Sequence, residues 1–151
     1  MNHSISKGIA DLLNKRNKLP KKVESIEVSN NSYFYIAVEG PNKKEKVIAC
    51  ARAKCMSFFA YEIKHVAVDE EFEGHGFGKY VIGLAENYIK SKNIPVAMAT
   101  TRADNHPIIH LFKKLGYTPS NEFVNEGTKN PLILWQKFLQ DEKIKIPSVE
   151  R

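Results

Sequence analysis

Residues 61–91 read YEIKHVAV (61–68), DEEFEGHGFGK (69–79) and YVIGLAENYIKS (80–91), and this stretch decides the fold. Its first part is rich in β-forming residues, which predicts a strand. Three glycines then alternate with other residues, at Gly74, Gly76 and Gly78. In its last part, apolar residues recur at three- and four-residue spacing, which predicts one buried face of a helix. The stretch therefore predicts a strand, a glycine-rich loop and a helix.

A glycine-rich loop that opens a helix is suited to binding an anion. The first N–H groups of a helix have no intrahelical partner and lie at the positive end of its macrodipole. Glycines let a phosphate approach the backbone, and Lys79 adds a positive charge. A flexible turn without a ligand is the alternative. The spacing excludes two common phosphate loops. G-x-G-x-G differs from the G-x-G-x-x-G of dinucleotide-binding folds, and a Walker loop needs Ser or Thr after its lysine, where this chain has Tyr80 after Lys79.

Before the loop, the sequence predicts one helix and several strands. Apolar residues on one face predict a helix over about residues 4–18 of an N-terminal segment, residues 1–20, with Ser4 as its cap. Three β-rich runs follow: VESIEV (23–28), SYFYIAVEG (32–40) and KVIACARAKCMSFF (46–59). Together with residues 61–68, these runs predict three or four antiparallel strands.

After the loop helix, the pattern predicts one more helix and three more strands. The run IPVAMATT (94–101) indicates a buried strand. In the helix that follows, Pro107 fits the first turn and Gly116 fits the C-terminal cap. Two closing strands are predicted by YTPSNEFVNEG (117–127) and LILWQKFL (132–139), and residues 140–151 form a polar tail.

The composition is typical of a soluble globular protein. Of 151 residues, 42% are hydrophobic and 26% are charged, which predicts a single domain over residues 1–151. Cys50 and Cys55 are five residues apart and would face opposite sides of a regular strand, so we expect reduced thiols within the core. Neither a leader sequence nor a membrane-length apolar run is visible, and we expect a cytoplasmic protein that does not contact membranes.

The net charge of +6 favours acidic partners in general. A phosphate-bearing small molecule is one such partner, and nucleic acid is another. The lysines are scattered along the chain, and no groove-reading motif accompanies them. Nucleic acid is therefore the less favoured partner.

The loop resembles the acyl-CoA signature of the GNAT superfamily of N-acetyltransferases, R/Q-x-x-G-x-G/A, aligned on residues 73–78. The first position departs from that signature, because Glu73 stands where members of the family have Arg or Gln. An acid at this position does not remove the backbone N–H groups of the loop, which would still hold the pyrophosphate.

A second segment strengthens the resemblance. Residues 105–117, NHPIIHLFKKLGY, are similar to the family's N-x-x-A-x-x-x-Y-x-K-x-G-F segment. Ile108 replaces Ala, and Phe112 replaces a Tyr that serves the departing thiolate in many members. The resemblance covers residues 22–139 and implies an α/β (α+β) fold of the GNAT type, in which helices flank a mixed, mostly antiparallel central sheet.

Glu62 is the candidate general base. A lysine amine has a pKa of about 10.4, so its deprotonation at pH 7 costs about 4–5 kcal/mol, and a base would lower that cost. The pattern E-I-x-x-x-A-V from Glu62 to Val68 is similar to the catalytic strand of histone-type lysine acetyltransferases. Those enzymes also have Phe at the position of Phe112. The alternative is that Glu62 is a solvated strand residue without a catalytic role. His65 would face away from Glu62 on a regular strand.

The resemblance implies transfer of an acetyl group from acetyl-CoA directly to a primary amine, of a peptide, a protein or a small molecule. Its implied coenzyme-binding residues are Val66, Ala67, Val68, Gly74, His75, Gly76, Phe77, Gly78, Lys79, Asn105 and Phe112. No metal is expected, because His106 and His110 lack a third ligand. A monomer or homodimer is expected. The alternative is a non-catalytic module of the same fold that binds coenzyme A or nucleic acid.

Overall fold

The computed structural model describes residues 1–139, so the tail predicted for residues 140–151 lies outside the described part. The helices are α1 (His3–Arg16), α2 (Ser25–Ser29), α3 (Phe77–Ser91) and α4 (His106–Lys114). The strands are β1 (Tyr33–Glu39), β2 (Glu45–Ser57), β3 (Ala60–Val68), β4 (Val96–Arg102), β5 (Thr118–Val124) and β6 (Pro131–Phe138). No helix in this part of the chain is long and apolar enough to cross a membrane.

The strands form one sheet in the order β1-β2-β3-β4-β6-β5. Every pair of neighbours is antiparallel except β3 and β4, which are parallel and are connected through α3. The mixed, mostly antiparallel sheet flanked by helices is the fold that the sequence predicts. Each face of the sheet carries a hydrophobic cluster, one containing the buried residues of α3 and the other those of α1.

An ion pair with a buried carboxylate connects α3 to β6. Glu86, on α3, is only 8% exposed. Its carboxylate accepts a hydrogen bond from the Tyr117 hydroxyl (2.7 Å), and Lys137 of β6 donates at 3.1 and 3.2 Å. Burial and the neighbouring Glu86 carboxylate raise the pKa of Tyr117, so this hydroxyl stays protonated and remains a donor.

The structure contradicts the strand predicted over residues 23–28. Its alternating valines and isoleucine favour a strand by propensity, but residues 25–29 form the short helix α2. The reason is tertiary, because the Asn14 side chain binds both the N–H and the C=O of Val23, and those groups are then not available to a strand ladder. Helical geometry from Ser25 onward buries Val28 against α1.

Three smaller predictions are also corrected. Asn2 caps α1, and its side-chain oxygen accepts from Ile5 N at 2.8 Å, so Ser4 is not the cap. The helix ends at Arg16, two residues earlier than predicted. Cys50 is buried as expected, whereas Cys55 is exposed, because it lies near the turn of the β2–β3 hairpin.

Replacing Glu86 with Ala should lower the free energy of unfolding by about 3 kcal/mol, because it leaves the Lys137 ammonium and the Tyr117 hydroxyl without their acceptor in a largely buried place. Urea unfolding measures this loss. Asp11→Ala is the control, since the exposed Lys7–Asp11 pair should contribute less than about 1 kcal/mol. Equal losses in the two variants would contradict the structural role of Glu86.

Candidate functional site

The site lies where β3 and β4 separate. The two strands pair only from Ala60 to Glu62 on β3 and from Val96 to Met98 on β4. Beyond Met98, β4 continues to pair with β6, while the second half of β3 pairs only with β2. The inner edge of β3 is therefore open over its second half, where it faces a gap in the sheet.

A bulge in β3 lies at the start of this gap. The register between β2 and β3 shifts between Cys50 and Arg52, and His65 takes a positive φ of 52°. The prediction that His65 faces away from Glu62 is therefore wrong, since it assumed a regular strand. The extra residue turns the His65 side chain to the face of the sheet that carries Glu62, and both residues line one cavity.

Tyr33 of β1 holds the His65 ring. Its Nδ1 lies 2.7 Å from the Tyr33 hydroxyl, and the two rings stack at a centroid distance of 5.9 Å. Burial, with smaller contributions from the cations of Lys64 and Arg52, lowers the pKa of His65 from 6.5 to about 4. Burial also raises the pKa of Tyr33 to about 12. At neutral pH the imidazole and the phenol are therefore both uncharged.

The glycine loop has the backbone geometry that only glycine adopts without strain. Gly74 and Gly76 have φ values of 80° and 83°, and a Cβ at either position would meet no atom within 4 Å. Gly78 serves a different purpose, because a Cβ there would lie 3.1 Å from Leu111 Cδ2. Two of the glycines shape the loop, and the third lets α3 pack close to α4.

The N-terminus of α3 has the properties of an anion site. Gly76 is its N-cap and supplies no side-chain acceptor, and no acidic residue lies in the first turn. In α3 the backbone N–H of Tyr80 binds Gly76 O at 3.0 Å, which is the first i→i−4 bond of this helix. The N–H groups of Phe77, Gly78 and Lys79 therefore remain available to a ligand.

Two adjoining cavities open at this place. The loop cavity, of about 720 Å³, is lined by residues 66–68, by the glycine loop and by one side of α4. The strand cavity, of about 1290 Å³, is lined by residues 62–66, by residues 100–102 of β4 and by the α1–α2 connection. Both cavities share the walls Arg16, Asn17, Val66, Asn105, Pro107 and Ile108.

The structure gathers most of the sequence-predicted site residues around these cavities. The loop cavity is lined by Val66, Ala67, Val68, Gly74, Gly76, Phe77, Gly78, Lys79 and Asn105. His75 is the exception, because it is exposed and lines neither cavity. Phe112 lines the strand cavity, but it is 2% exposed and packs against Tyr117 and Trp135. Its ring therefore forms part of the core as well as the cavity wall.

Glu62 presents a free carboxylate to the strand cavity. Its side chain is half-buried, and it stands opposite Lys54 in the β2–β3 register. Among residues 1–139, the ion pairs do not include Glu62. A half-buried carboxylate without a protein cation can accept a proton from a group bound in the cavity.

Two residues of the site, Arg16 and Asn17, escaped the sequence analysis. Arg16, at the end of α1, forms an ion pair with Glu73 beside the glycine loop. The neighbouring Asn17 donates its side-chain N–H to Val66 O at 3.1 Å. Asn105 has a second task as the N-cap of α4, where its oxygen accepts from Ile108 N at 3.4 Å. The start of a helix at Pro107 was visible in the sequence, but the capping role of Asn105 and the contacts of α1 were not.

Cysteine and metal chemistry find no support in the described part of the chain. Burial raises the pKa of Cys50 to about 12, so its thiol is protonated at neutral pH and is a poor nucleophile. Within residues 1–139, no group of three or more His, Cys, Asp and Glu side chains is placed to hold a metal ion.

The acetyltransferase (GNAT) family model matches residues 9–117 of the chain. Mycothiol acetyltransferase of Arthrobacter sp. (strain FB24) is 33% identical over 69 residues, which are 46% of this chain and 21% of that protein. The chain therefore spans about a fifth of the length of this relative.

Two solved structures share the fold. NAA60 of Arabidopsis thaliana, in complex with a bisubstrate analogue, superposes with a TM-score of 0.75 at 17% identity, over 91% of this chain and 94% of that one. yncA of Salmonella typhimurium, a putative acetyltransferase with acetyl-CoA, gives a TM-score of 0.74 at 16% identity, over 96% and 94%. At these identities the likeness concerns the fold.

Gly76→Ala should destabilise the protein by about 1–2 kcal/mol, because an L side chain is strained at a φ of 83°. Gly83→Ala is the matched control in the same helix. A Cβ at Gly83 meets no atom within 4 Å and its φ is not positive, so that variant should gain about 0.5–1 kcal/mol. Thermal or urea unfolding of both variants measures the difference. A loss of similar size in both would contradict the left-handed loop.

The pKa of His65 also predicts a pH dependence of stability. The folded protein binds this proton less readily than the unfolded chain, so the contribution of His65 is complete above pH 6.5 and is lost as the pH falls toward 4. His65→Gln should flatten the decline of the unfolding free energy over this range, whereas His3→Gln at the exposed start of α1 should not. Parallel curves for wild type and His65→Gln would contradict the burial of this imidazole.

Proposed function

The chain belongs to the GNAT acetyltransferase family, and on that premise we propose that it moves an acetyl group from acetyl-CoA directly to a primary amine. One observation carries the proposal: the free N–H groups at the start of α3 and the Glu62 carboxylate face two adjoining cavities. The first can hold the phosphates of a coenzyme, and the second can receive the proton of an amine. A solved relative of the same fold contains acetyl-CoA.

The loop cavity fits coenzyme A. N–H groups at the start of α3 and the Lys79 ammonium would bind the pyrophosphate, and the glycines at 74 and 76 leave room for it. The open edge of β3 at Val66 and Val68 would align the pantetheine arm in the manner of an added strand. On the side of α4, Asn105 and Phe112 would border the pantetheine arm. The arm would carry the thioester into the strand cavity.

In the proposed reaction the amine attacks the acetyl carbonyl carbon. A nitrogen–carbon bond forms, the carbon–sulfur bond of the thioester breaks, and the sulfur leaves as the thiolate of coenzyme A. Glu62 takes the proton that the amine loses. The thiol of coenzyme A has a pKa similar to that of free cysteine, about 8.5, so its thiolate leaves without a Tyr at position 112. No covalent enzyme intermediate is required, and neither cysteine takes part.

The charges of the strand cavity bear on the amine acceptor. Lys18, Lys21, Lys22 and Lys64 line it, and among residues 1–139 none of these four lies within 4.0 Å of a carboxylate. In contrast, Glu27 and Asp104 are paired with Arg52 and Arg102, and within residues 1–139 the unpaired acids of the lining, Glu24 and Glu62, are fewer than these four lysines. Free lysines repel a polycationic acceptor, so a peptide or protein amine, from a lysine or an N-terminus, suits this cavity better than a polyamine.

The proposal is tested with Glu62→Gln, which keeps the shape of the side chain and removes the base. On a lysine peptide, turnover at pH 7 should fall by about a hundredfold or more, and the loss should shrink as the pH rises and solution supplies neutral amine. An α-amino group, with a pKa of about 8, costs only about 1.4 kcal/mol to deprotonate at pH 7, so the same substitution should matter less for that acceptor.

The measurement is thiol release from acetyl-CoA as a function of pH, with a lysine peptide blocked at its N-terminus and a peptide whose only amine is its N-terminus. Equal activity of wild type and Glu62→Gln on both peptides would remove Glu62 from the mechanism. If wild type releases no thiol with any amine but still binds coenzyme A, the chain is a binding module and the proposal of acetyl transfer is wrong.

A further inference from the structure

The side chain of Arg16 joins the first helix to the glycine loop. Arg16 lies in the last turn of α1, and its guanidinium pairs with the Glu73 carboxylate next to Gly74. A second carboxylate, that of Glu70, lies 3.8 Å from Nη1. The Arg16 side chain is 29% exposed and lines both the loop cavity and the strand cavity. It therefore borders the space that the coenzyme would occupy.

Glu73 creates an electrostatic problem for that space. Its carboxylate lines the loop cavity, directly before the glycines that would hold a pyrophosphate. An unpaired carboxylate there would repel the phosphates, since like charges at short range oppose each other. The pair with Arg16 offsets the charge of Glu73, while the second carboxylate, that of Glu70, is 71% exposed and lines neither cavity. A guanidinium has five N–H donors, so Arg16 can bind Glu73 on one side and still offer N–H groups to an anion on another.

The adjacent residue fixes the position from which Arg16 extends. Asn17, which ends α1, donates its side-chain N–H to Val66 O in the open half of β3. The end of α1 is thus attached to the loop through Arg16 and to the strand through Asn17. Two attachments on neighbouring residues hold the guanidinium at the boundary of the two cavities.

We propose that Arg16 binds the phosphates of the coenzyme and that Glu73 is the positioning residue that orients its guanidinium. The cation at this place then comes from the first helix, although the glycine loop itself carries an acid. The inference rests on the proposed function, because it takes coenzyme A as the ligand of the loop cavity. It adds a binding residue that lies 57 positions away from its loop partner.

The test compares two thioesters that share the acetylpantetheine arm, of which only acetyl-CoA carries the 3′-phosphoadenosine diphosphate with its phosphates. Arg16→Gln should raise the KM for acetyl-CoA at least tenfold. The KM for S-acetylpantetheine, which carries no phosphate, should change less than twofold. Lys15→Gln is the matched control, since it removes one positive charge from an exposed neighbour in the same helical turn that lines neither cavity. This control should leave both KM values within twofold of wild type.

The outcomes separate phosphate binding from a structural role. An equal rise in KM for both thioesters would mean that Arg16 only holds α1 in place, and no rise for either would mean that it does not touch the phosphates. Both results overturn the inference. The double variant Arg16→Gln with Glu73→Arg returns a cation to the loop and should regain most of the lost affinity for acetyl-CoA. Without such rescue, the two positions do not serve the same phosphates, which also contradicts the inference.

Calorimetry with coenzyme A and with pantetheine repeats the comparison without turnover. In that experiment, Arg16→Gln should lower the affinity for coenzyme A at least tenfold and leave the affinity for pantetheine unchanged. Unchanged affinity for coenzyme A would overturn the role of Arg16 even if the protein transfers acetyl groups. Conversely, a wild type that binds coenzyme A but transfers no acetyl group would contradict the proposed function and leave the role of Arg16 supported by the binding difference.

Discussion

The separation of β3 from β4 is the constraint on which the rest of the site depends. Parallel neighbours normally pair along their whole length, but here β4 is retained by β6, and the buried hydrogen bond from Trp135 Nε1 to Thr101 Oγ1 holds it on that side. On the other side, β3 follows β2 through the bulge at His65. Strand β3 therefore keeps an edge inside the sheet without a neighbour, and main-chain groups at an unpaired edge favour an extended ligand.

The connection from β3 to β4 places the anion site at the mouth of that gap. A parallel pair needs a crossover, and α3 provides it, packed on the sheet through Val81, Ile82, Ala85 and Ile89. The left-handed Gly76 ends the loop and directs the first turn of α3 toward the cavity. The polarity of the helix then follows from topology, because a helix that returns the chain to start a parallel strand must begin near the end of the preceding one.

How much of this could be predicted from sequence depends on the range of the interactions. The strand–loop–helix unit and the helix between Asn105 and Gly116 follow from glycines, proline and periodicity within about a dozen residues. Helix α2 could not be predicted, since Asn14 redirects a segment whose own residues favour a strand. The face of the sheet to which His65 points could not be predicted either, because it depends on a bulge. The ion pair of Arg16 with Glu73 was also beyond prediction, because it joins residues far apart in the chain.

The choice of proton acceptor in the strand cavity follows from these same features. Glu62 and His65 both line the strand cavity, so either side chain could serve an amine there. The His65 ring, however, commits Nδ1 to Tyr33, and its pKa of about 4 leaves the imidazole uncharged at neutral pH. In the proposed reaction the Glu62 carboxylate, which forms no ion pair within residues 1–139, would attract the ammonium form of the acceptor before it takes the proton. An anion can both stabilise the charged amine near the thioester and then accept its proton. Of Glu62 and His65, only Glu62 can provide an anionic group.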